Sequence, residues 1–218
     1  RIRRIVTGVT ASLALIERAV DLEADLLLVH HGFFWRGEDP RITGMKQRRI
    51  RLLLQHGIGL AAYHLPLDGH GELGNNAQLA ELLGFPVTGR FGQGPGGGIA
   101  MHATLAGPLE VEEMGSLLSQ RLGREPLFIS GGDHPIRRVG WCSGGAQGYI
   151  EQAAALGLDA YISGEISEST VHAARELGVH YFAAGHHATE RYGIRALGDH
   201  LAARSGLRHE FVDVPNPA

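Results

Sequence analysis

Asp-Leu-Leu-Leu-Val-His-His, residues 25–31, is the stretch that decides the fold of this chain. A short, continuous apolar run that ends in polar residues is typical of a strand buried in a parallel sheet. The preceding residues 12–23 carry apolar side chains at helical spacing, and Ser12 is the predicted N-cap. Apolar runs and amphipathic segments continue to alternate along the chain. The sequence therefore predicts an α/β fold with a mixed or parallel sheet.

The remaining elements follow from the same patterns. Strands are predicted near residues 2–9, 58–63, 99–105, 127–130, 138–142 and 179–184, and helices over residues 43–55, 75–83, 111–122 and 189–204. The connector Gly89–Gly98 is rich in glycine, but a strand is predicted after it, whereas a dinucleotide-binding loop leads into a helix. We therefore expect the connector to be a surface connection.

The second half of the chain resembles the first. Aligned without gaps, residues 3–31 and 137–165 share seven identical pairs: Arg3/Arg137, Arg4/Arg138, Ile16/Ile150, Glu17/Glu151, Ala19/Ala153, Leu22/Leu156 and Asp25/Asp159. A later strand in each half ends in a His-x-x-x-carboxylate pattern, His64–Asp68 and His186–Glu190. We expect an internal duplication: one compact unit, 1–218, made of two pseudo-twofold-related halves, about 1–92 and 93–218, with a site between them.

Composition excludes several classes of protein. The net charge is −3, which disfavours strong direct binding to nucleic acid. Cys142 is the only cysteine, so an internal disulfide and a cysteine-rich zinc site are excluded. Apolar runs are too short to cross a membrane, and we expect a cytoplasmic protein. Because the chain begins at Arg1 and runs directly into a predicted strand, we also expect that an N-terminal segment is missing.

Candidate ligands for metal ions follow the predicted strands. His30 and His31 end one strand, Asp68 lies four residues after His64, and Glu190 lies four residues after His186. Open α/β sheets bind their ligands at the carboxyl ends of the strands. Imidazoles and carboxylates suit iron, zinc, manganese or nickel better than calcium. Adjacent histidines diverge on an extended backbone, so this donor set predicts two divalent metal ions with a bridging carboxylate.

Three stretches resemble the signatures of a known family: Leu-Val-His-His-Gly-Phe-Phe-Trp-Arg-Gly at 28–37, Tyr-His-Leu-Pro-Leu-Asp at 63–68 and Gly-His-His-Ala-Thr-Glu-Arg-Tyr-Gly at 185–193. Together they are similar to the Ngg-interacting-factor-three-like family of dinuclear metal-centre proteins, whose members are often named GTP cyclohydrolase I type 2 homologues. The resemblance covers essentially the whole chain and is greatest to the short bacterial form. Many relatives have proline where this chain has Gly32.

The resemblance implies a ligand set and an assembly. His31 and Asp68 would hold one metal ion and His30 and His186 the other, with Glu190 as the bridge. His64 would lie near the metals, orienting Asp68 or a water molecule, and with Glu190 it would handle proton transfer. The family resemblance also implies a toroidal homohexamer built from dimers, with the metal sites facing an interior cavity.

Several alternatives stay open at this stage. The leading hypothesis is a metal-dependent hydrolase that acts on a purine nucleotide or a related small molecule; the others are a metal-delivery protein without turnover and a ring-shaped scaffold linked to DNA damage protection. Phe33, Phe34 and Trp35 could stack on a flat substrate or pack internally. Residues 143–146 could bind an anion through backbone amides. Glu165 is expected near the site, and His187 could contact substrate.

Overall fold

The computed structural model describes residues 1–94 and 97–218. Pro95 and Gly96, in the glycine-rich connector, lie outside the described residues, so the expectation for that part of the connector is not addressed. The helices are α1 (Leu13–Asp21), α2 (Gly44–Gln55), α3 (Leu65–Asp68), α4 (Asn75–Leu83), α5 (Val111–Leu122), α6 (Ile150–Ala155), α7 (Glu168–Leu177) and α8 (His186–Ser205). The strands are β1 (Arg4–Thr10), β2 (Leu26–His31), β3 (Gly59–Ala62), β4 (Val87–Phe91), β5 (Ala100–Leu109), β6 (Leu127–Ile129), β7 (Ile136–Cys142), β8 (Ala160–Ser163), β9 (His180–Ala183) and β10 (Arg208–Phe211).

Two sheets organise these elements, and the predicted α/β class is confirmed. The first sheet has the strand order β10-β1-β2-β3, and its strands are all parallel. The second has the order β4-β5-β7-β8-β9-β6, with a parallel centre, β7-β8-β9, and antiparallel strands outside it. Parallel neighbours need crossover helices, which explains the alternation of strands and helices seen in the sequence.

Local sequence signals account for several element boundaries. The Oγ of Ser12 accepts a hydrogen bond of 3.2 Å from the N–H of Leu15, which confirms the predicted N-cap of α1. Gly84 adopts a left-handed conformation with φ of +73° and ends α4 where the sequence predicts. Helix α8 begins at His186, three residues before the predicted start, so both His186 and Glu190 belong to its first turns.

The two halves use the same hydrogen bonds at one place. One carboxylate oxygen of Asp25 accepts the backbone N–H groups of Arg3 and Arg4 at 2.7 and 2.9 Å. Asp159 accepts those of Arg137 and Arg138, both at 2.8 Å. In each half the aspartate precedes the second parallel strand and fixes it to the first. These matched contacts support the proposed duplication, which stays a prediction.

The sheets do not coincide with the expected halves of the chain. Strand β4 precedes residue 92 but pairs with β5 in the second sheet, and β10 follows residue 93 but pairs with β1 in the first. Helix α8 leaves the end of the second sheet and packs along β1 and β10. Each half of the chain therefore contributes one strand to the sheet that is formed mainly by the other half. The carboxyl ends of β2 and β9 approach each other where α8 begins.

Apolar side chains fill the space between the sheets and their helices. Trp141, on β7, is fully buried against Phe85, and its indole N–H donates to the carbonyl of Asn76 at 2.9 Å. Burying a large aromatic side chain contributes about 1.5–3 kcal/mol. A second group of buried residues, including Val6, Leu15 and Leu27, packs α1 on the first sheet. These cores hold the strand ends that carry the candidate ligands.

Candidate functional site

All five predicted ligands meet in one place. His30 and His31 end β2, Asp68 lies in α3 after β3, and His186 and Glu190 lie on the first turns of α8 after β9. The ends of three strands, β2 and β3 of the first sheet and β9 of the second, therefore bring donors to a common point. His30, Asp68 and Glu190 are buried, whereas His31 and His186 are partly exposed. The arrangement has the position that ligands take in open α/β folds, beyond the carboxyl ends of parallel strands.

Glu190 lies at the centre of this cluster. Its Oε1 is 3.5 Å from Nε2 of His30, whereas its Oε2 is 3.3 Å from Nε2 of His31 and 3.1 Å from Nε2 of His186. On the first side, Nε2 of His30 also lies 3.4 Å from Oδ1 of Asp68. The two oxygens of one carboxylate therefore face two different sets of donors.

The donor atoms of the site form overlapping groups, and the pairing implied by the family resemblance stays a prediction. Three overlapping sets of donor atoms lie close enough together to hold a metal ion: His30, Asp68 and Glu190; His31, His186 and Glu190; and His30, His31 and His64. The resemblance pairs His31 with Asp68 and His30 with His186. Side chains alternate along β2, so His30 is buried between Asp68 and Glu190, whereas His31 is partly exposed beside Glu190.

Each of the three histidines is oriented through its other ring nitrogen. Nδ1 of His30 lies 2.7 Å from the carbonyl oxygen of Tyr63, Nδ1 of His31 lies 3.1 Å from the hydroxyl of Thr10, and Nδ1 of His186 lies 2.7 Å from a carboxylate oxygen of Glu165. Such contacts fix the tautomer of histidines that bind metal ions. All three rings thereby direct Nε2 toward Glu190.

Two observations indicate that the cluster suits metal ions. Nε2 of His30 and Oε2 of Glu190 are buried without a hydrogen-bond partner among the described residues, which is costly unless another group satisfies them. The loop after β7 also leaves room for the carboxylate: a Cβ atom at Gly144 would overlap Oε1 of Glu190, and Gly144 has φ of +65°. Imidazole and carboxylate donors are the ones that iron, zinc, manganese and nickel accept.

Burial and close contact shift the protonation of these groups. Burial favours the neutral acid of Glu190, but the imidazoles of His186 and His30 outweigh it and lower the pKa of Glu190 to about 2. Contact with Glu190, against the effect of burial, raises the pKa of His186 to about 9. Burial lowers the pKa of His31 to about 4. Burial also raises the pKa of Asp68 above its usual range.

Two buried asparagines support the site, and the sequence interpretation overlooked both. The amide of Asn75 donates to Asp68 at 2.8 Å, and its oxygen accepts the N–H of Gly193 in α8 at 2.9 Å. Asn76 accepts the N–H of Ser143 at 2.8 Å. Both asparagines are fully buried at the start of α4. The available signal was this pair of amides at the predicted start of a helix, only seven residues after Asp68.

His64 does not contact Glu190, but its ring nitrogen forms a further group of possible metal donors with His30 and His31. Its ring lies 4.9 Å from that of His30 and 5.3 Å from that of His31. It makes no side-chain hydrogen bond to the described residues, and burial lowers its pKa below the usual value. Trp35 contacts the other side of His64, with the ring centres 4.9 Å apart, while Phe33 packs partly against the core of the first sheet. Of the three aromatic residues, Trp35 is the one at the mouth of the site.

Contacts within the protein occupy three of the four backbone N–H groups in the loop 143–146. The backbone N–H of Ser143 donates to Asn76, that of Gly144 to Thr189 and that of Ala146 to Ser163, at 2.8, 3.0 and 3.2 Å. These three amides are therefore occupied, whereas the N–H of Gly145 has no partner among the described residues, and anion binding at this loop stays a prediction.

Two other sequence-predicted residues lie beside the cluster. Glu165 is there as expected and orients His186. The ring of His187 faces away, toward Asp213, at 2.8 Å.

The described helices include none that combines the length and apolar character needed to cross a bilayer.

A family model matches this chain almost from end to end. The model described as Duf34/NIF3 (NGG1p interacting factor 3) matches residues 1–217. A protein of Pseudomonas aeruginosa named GTP cyclohydrolase 1 type 2 homolog is 56% identical over 218 residues, which are 100% of this chain and 86% of that protein. A Vibrio cholerae protein of the same name is also 56% identical, over 99% of this chain and 86% of its own length.

Solved structures share the fold. The protein described as ybgI, of unknown function, has 50% sequence identity and a TM-score of 0.95, over 100% of this chain and 87% of that one. The protein TTHA1606 from Thermus thermophilus has 33% identity and a TM-score of 0.89, over 100% of this chain and 86% of that one.

Proposed function

The chain belongs to the Duf34/NIF3 (NGG1p interacting factor 3) family, and on that premise we propose that it is a metal-dependent hydrolase. Its substrate is a purine nucleotide or a related small molecule, as the name of its relatives, GTP cyclohydrolase 1 type 2 homolog, suggests. The observation that carries the proposal is the carboxylate of Glu190, whose two oxygens face two separate donor sets. A single carboxylate in this position is typical of a bridge between two metal ions.

The residues present fit two divalent ions. His30 and Asp68 would hold one, His31 and His186 the other, and Glu190 both. Iron, zinc, manganese and nickel all accept these donors. When bound, such ions lower the pKa of a coordinated water and polarise the bond that is to be hydrolysed.

The protein's own residues supply position and proton transfer. Glu165, Thr10 and the carbonyl of Tyr63 hold the three histidines in their orientation. Asn75 holds Asp68 and ties it to α8. In this proposal His64, which borders the cavity, accepts a proton from water or donates one to the leaving group, together with Glu190.

The test of this proposal combines metal content with turnover. Elemental analysis of protein purified without added metal should give two ions per chain. The metal-loaded protein should hydrolyse at least one member of a panel of GTP, other purine nucleotides and nucleosides. Glu190→Gln keeps the volume of the side chain but removes its charge, so turnover should fall by orders of magnitude even when excess metal restores occupancy.

The outcomes separate a hydrolase from a metal-delivery protein. If the protein only carries metal, Glu190→Gln lowers metal affinity and no member of the panel is consumed by either form. Wild-type hydrolysis that persists unchanged in Glu190→Gln contradicts the assignment of the site. A single tightly bound ion in metal-replete wild type contradicts the dinuclear centre.

We also propose that the protein works in the cytoplasm as a toroidal homohexamer, which the family resemblance implies. Light scattering on the purified protein measures the assembly, and a monomer at micromolar concentration would contradict the ring.

A further inference from the structure

A cleft of about 580 Å³ opens beside the candidate metal centre. At one end its wall is formed by His64, Asp68, His186 and Glu190. The rest of the wall comes from the loop after β7, the start of α6 and the segments around Gln93 and Leu65. Its volume lies in the range of cavities that enclose a small organic ligand. A substrate in this cleft would have one end at the metal donors and its body along the remaining wall.

The remaining wall carries no charge. Among the described residues that line the cleft, all the titratable acids and imidazoles belong to the metal end, and neither arginine nor lysine contributes. Proteins that bind phosphate groups usually provide such cations or free backbone amides. Lys46, the only lysine of the chain, is engaged elsewhere: its Nζ lies 3.0 Å from a carboxylate oxygen of Glu38. Among the described residues, therefore, no side-chain cation faces the body of a ligand in this cleft.

Backbone amides replace the missing cations only in part, because three of the four N–H groups of the loop 143–146 are already bonded within the protein. The loop 143–146 lines the cleft in front of α6, where an anion could meet several N–H groups. The N–H groups of Ser143, Gly144 and Ala146 donate to side chains of the protein instead. Among the described residues of this loop, a phosphate in the cleft would meet the N–H of Gly145 alone, unless it broke these contacts, and would otherwise depend on the metal ions.

What the wall offers is a set of neutral hydrogen-bonding groups. The hydroxyl oxygen of Tyr149 accepts the N–H of Gln93 at 3.2 Å, which leaves its own proton free to donate. The side-chain amides of Gln93 and Gln152 make no hydrogen bond to the described residues, and each can donate and accept. Leu65 and Ile99 add apolar surface. This combination suits an uncharged ring with amide and hydroxyl groups.

We propose that the cleft binds an uncharged nucleoside or nucleobase and that its substrate carries no phosphate. The inference rests on the proposed function, because it places the purine of that proposal in the cleft beside the metal donors. It narrows the substrate class from nucleotides to their unphosphorylated counterparts.

The test compares guanosine, GMP and GTP as ligands of the metal-loaded wild-type protein. Isothermal titration calorimetry gives the three dissociation constants, and elemental analysis after each titration verifies that the nucleotide has not removed the metal. We expect guanosine to bind at least as tightly as GMP and GTP. Loss of one neutral hydrogen bond typically weakens binding about 3- to 10-fold. Gln152→Ala and Gln93→Ala should therefore each lower the affinity for guanosine by that factor.

Gln120→Ala is the matched control, because Gln120 is an exposed glutamine on α5, away from the cleft. It should leave the affinity for guanosine unchanged. Binding of GMP or GTP that is tenfold tighter than that of guanosine overturns the inference, and so does the absence of guanosine binding. Guanosine affinity that is insensitive to both Gln152→Ala and Gln93→Ala overturns it as well.

Hydrolysis measured on the same samples distinguishes this inference from the proposed function. Suppose that guanosine binds with the expected dependence on Gln93 and Gln152, but that neither guanosine nor any other compound is hydrolysed. This result contradicts the proposed hydrolase activity and supports the inferred class of ligand. If GTP is hydrolysed and binds tenfold more tightly than guanosine, the proposed hydrolase activity is supported and the inference that the substrate carries no phosphate is overturned.

Discussion

At the scale of single residues, the site depends on groups that orient its donors. Nε2 of each histidine points inward because Nδ1 is held by Tyr63, Thr10 or Glu165. The contact with Glu165 is the only one of the three that involves a charge, and at 2.7 Å it is short. A carboxylate behind a metal-binding imidazole increases the basicity of that imidazole and fixes its direction.

Glu165→Gln should therefore lower the affinity for metal by about 10- to 100-fold, without removing any donor. Competition with a chromophoric chelator measures this affinity. Glu168→Gln is the control, since Glu168 is an exposed acid that contacts His172 on the same helix and has no contact with the site. Equal metal affinity in Glu165→Gln and wild type would show that His186 needs no support from Glu165.

Gly144 allows a second prediction about one residue. Its Cβ would overlap Oε1 of Glu190, so Gly144→Ala should displace the carboxylate and lower metal affinity by at least tenfold. Gly178→Ala is the matched control, because Gly178 has a similar φ of +68° but no crowding in its surroundings. Both variants lose about 1–2 kcal/mol of stability through the left-handed backbone. If Gly178→Ala lowers metal affinity as much as Gly144→Ala, the effect comes from general destabilisation.

The residues that were hardest to predict make their contacts with residues that are distant in the sequence. His30, His31, Asp68, His186 and Glu190 could be singled out because donor types recur after predicted strands. Which donors share an ion depends on side-chain directions at the end of β2, which the sequence does not specify. Asn75, Thr10 and Thr189 carry no spacing pattern, and their contacts with Asp68, His31 and Gly144 appear only when the crossovers are in place.

At the scale of elements, the repeated aspartates fix one strand to the next in each sheet. Asp25 accepts two backbone N–H groups at the start of β1, and these bonds hold the pKa of Asp25 below its ordinary value of 3.8. A carboxylate with a lowered pKa in the folded protein stabilises the fold above its ordinary pKa, and this contribution is lost as the pH falls below it.

Asp25→Asn should therefore reduce the free energy of unfolding at pH 5–7, and the difference from wild type should shrink progressively as the pH falls below 3.8. Denaturant unfolding of wild type and variant across this range gives the difference directly, so changes elsewhere in the protein cancel. Asp21→Asn serves as the control, since Asp21 lies nearby at the end of α1 and contacts Arg18 on the surface. A difference between wild type and Asp25→Asn that is independent of pH would contradict this role of the carboxylate.

Helices and strands could be predicted where a local signal marks both ends. The predicted bounds of α4 and α5 agree with the structure, because apolar spacing and a following glycine define each helix. Helix α8 begins three residues earlier than predicted, at His186. Its start follows Gly185, which has φ of +98°, so a turn of the backbone and not a capping side chain determines it. The sequence indicated neither that turn nor the return of β10 to β1.

At the scale of the whole molecule, the candidate metal centre joins the two sheets. His30 and His31 belong to the first sheet, whereas His186 and Glu190 begin the helix that follows the second. Ions bound to both sets of donors would add contacts between the sheets that the metal-free protein lacks. Because the metal binds the folded state, its binding free energy adds to stability.

Removal of metal should therefore lower the melting temperature. At a free metal concentration one hundred times Kd, one site adds about 2.7 kcal/mol, and for a chain of this length this corresponds to roughly 5–10 °C in Tm. Differential scanning calorimetry before and after dialysis against a chelator measures the change. A variant with both His30→Ala and His31→Ala should show no such shift. An unchanged Tm on removal of metal from a protein shown to contain it would contradict this stabilising role.

The pairing of β10 with β1 sets an order of events during synthesis on the ribosome. The nascent chain presents His30 and His31 early, but Glu190 is 159 positions beyond His31 (190 − 31), and β10 follows at Arg208–Phe211. At about 5–20 residues per second, the early histidines wait on the order of 10–30 s for their partners. The first sheet cannot be completed by its own half of the chain. The complete set of proposed metal donors is therefore present only when synthesis of the chain is nearly finished and the last parallel strand can dock.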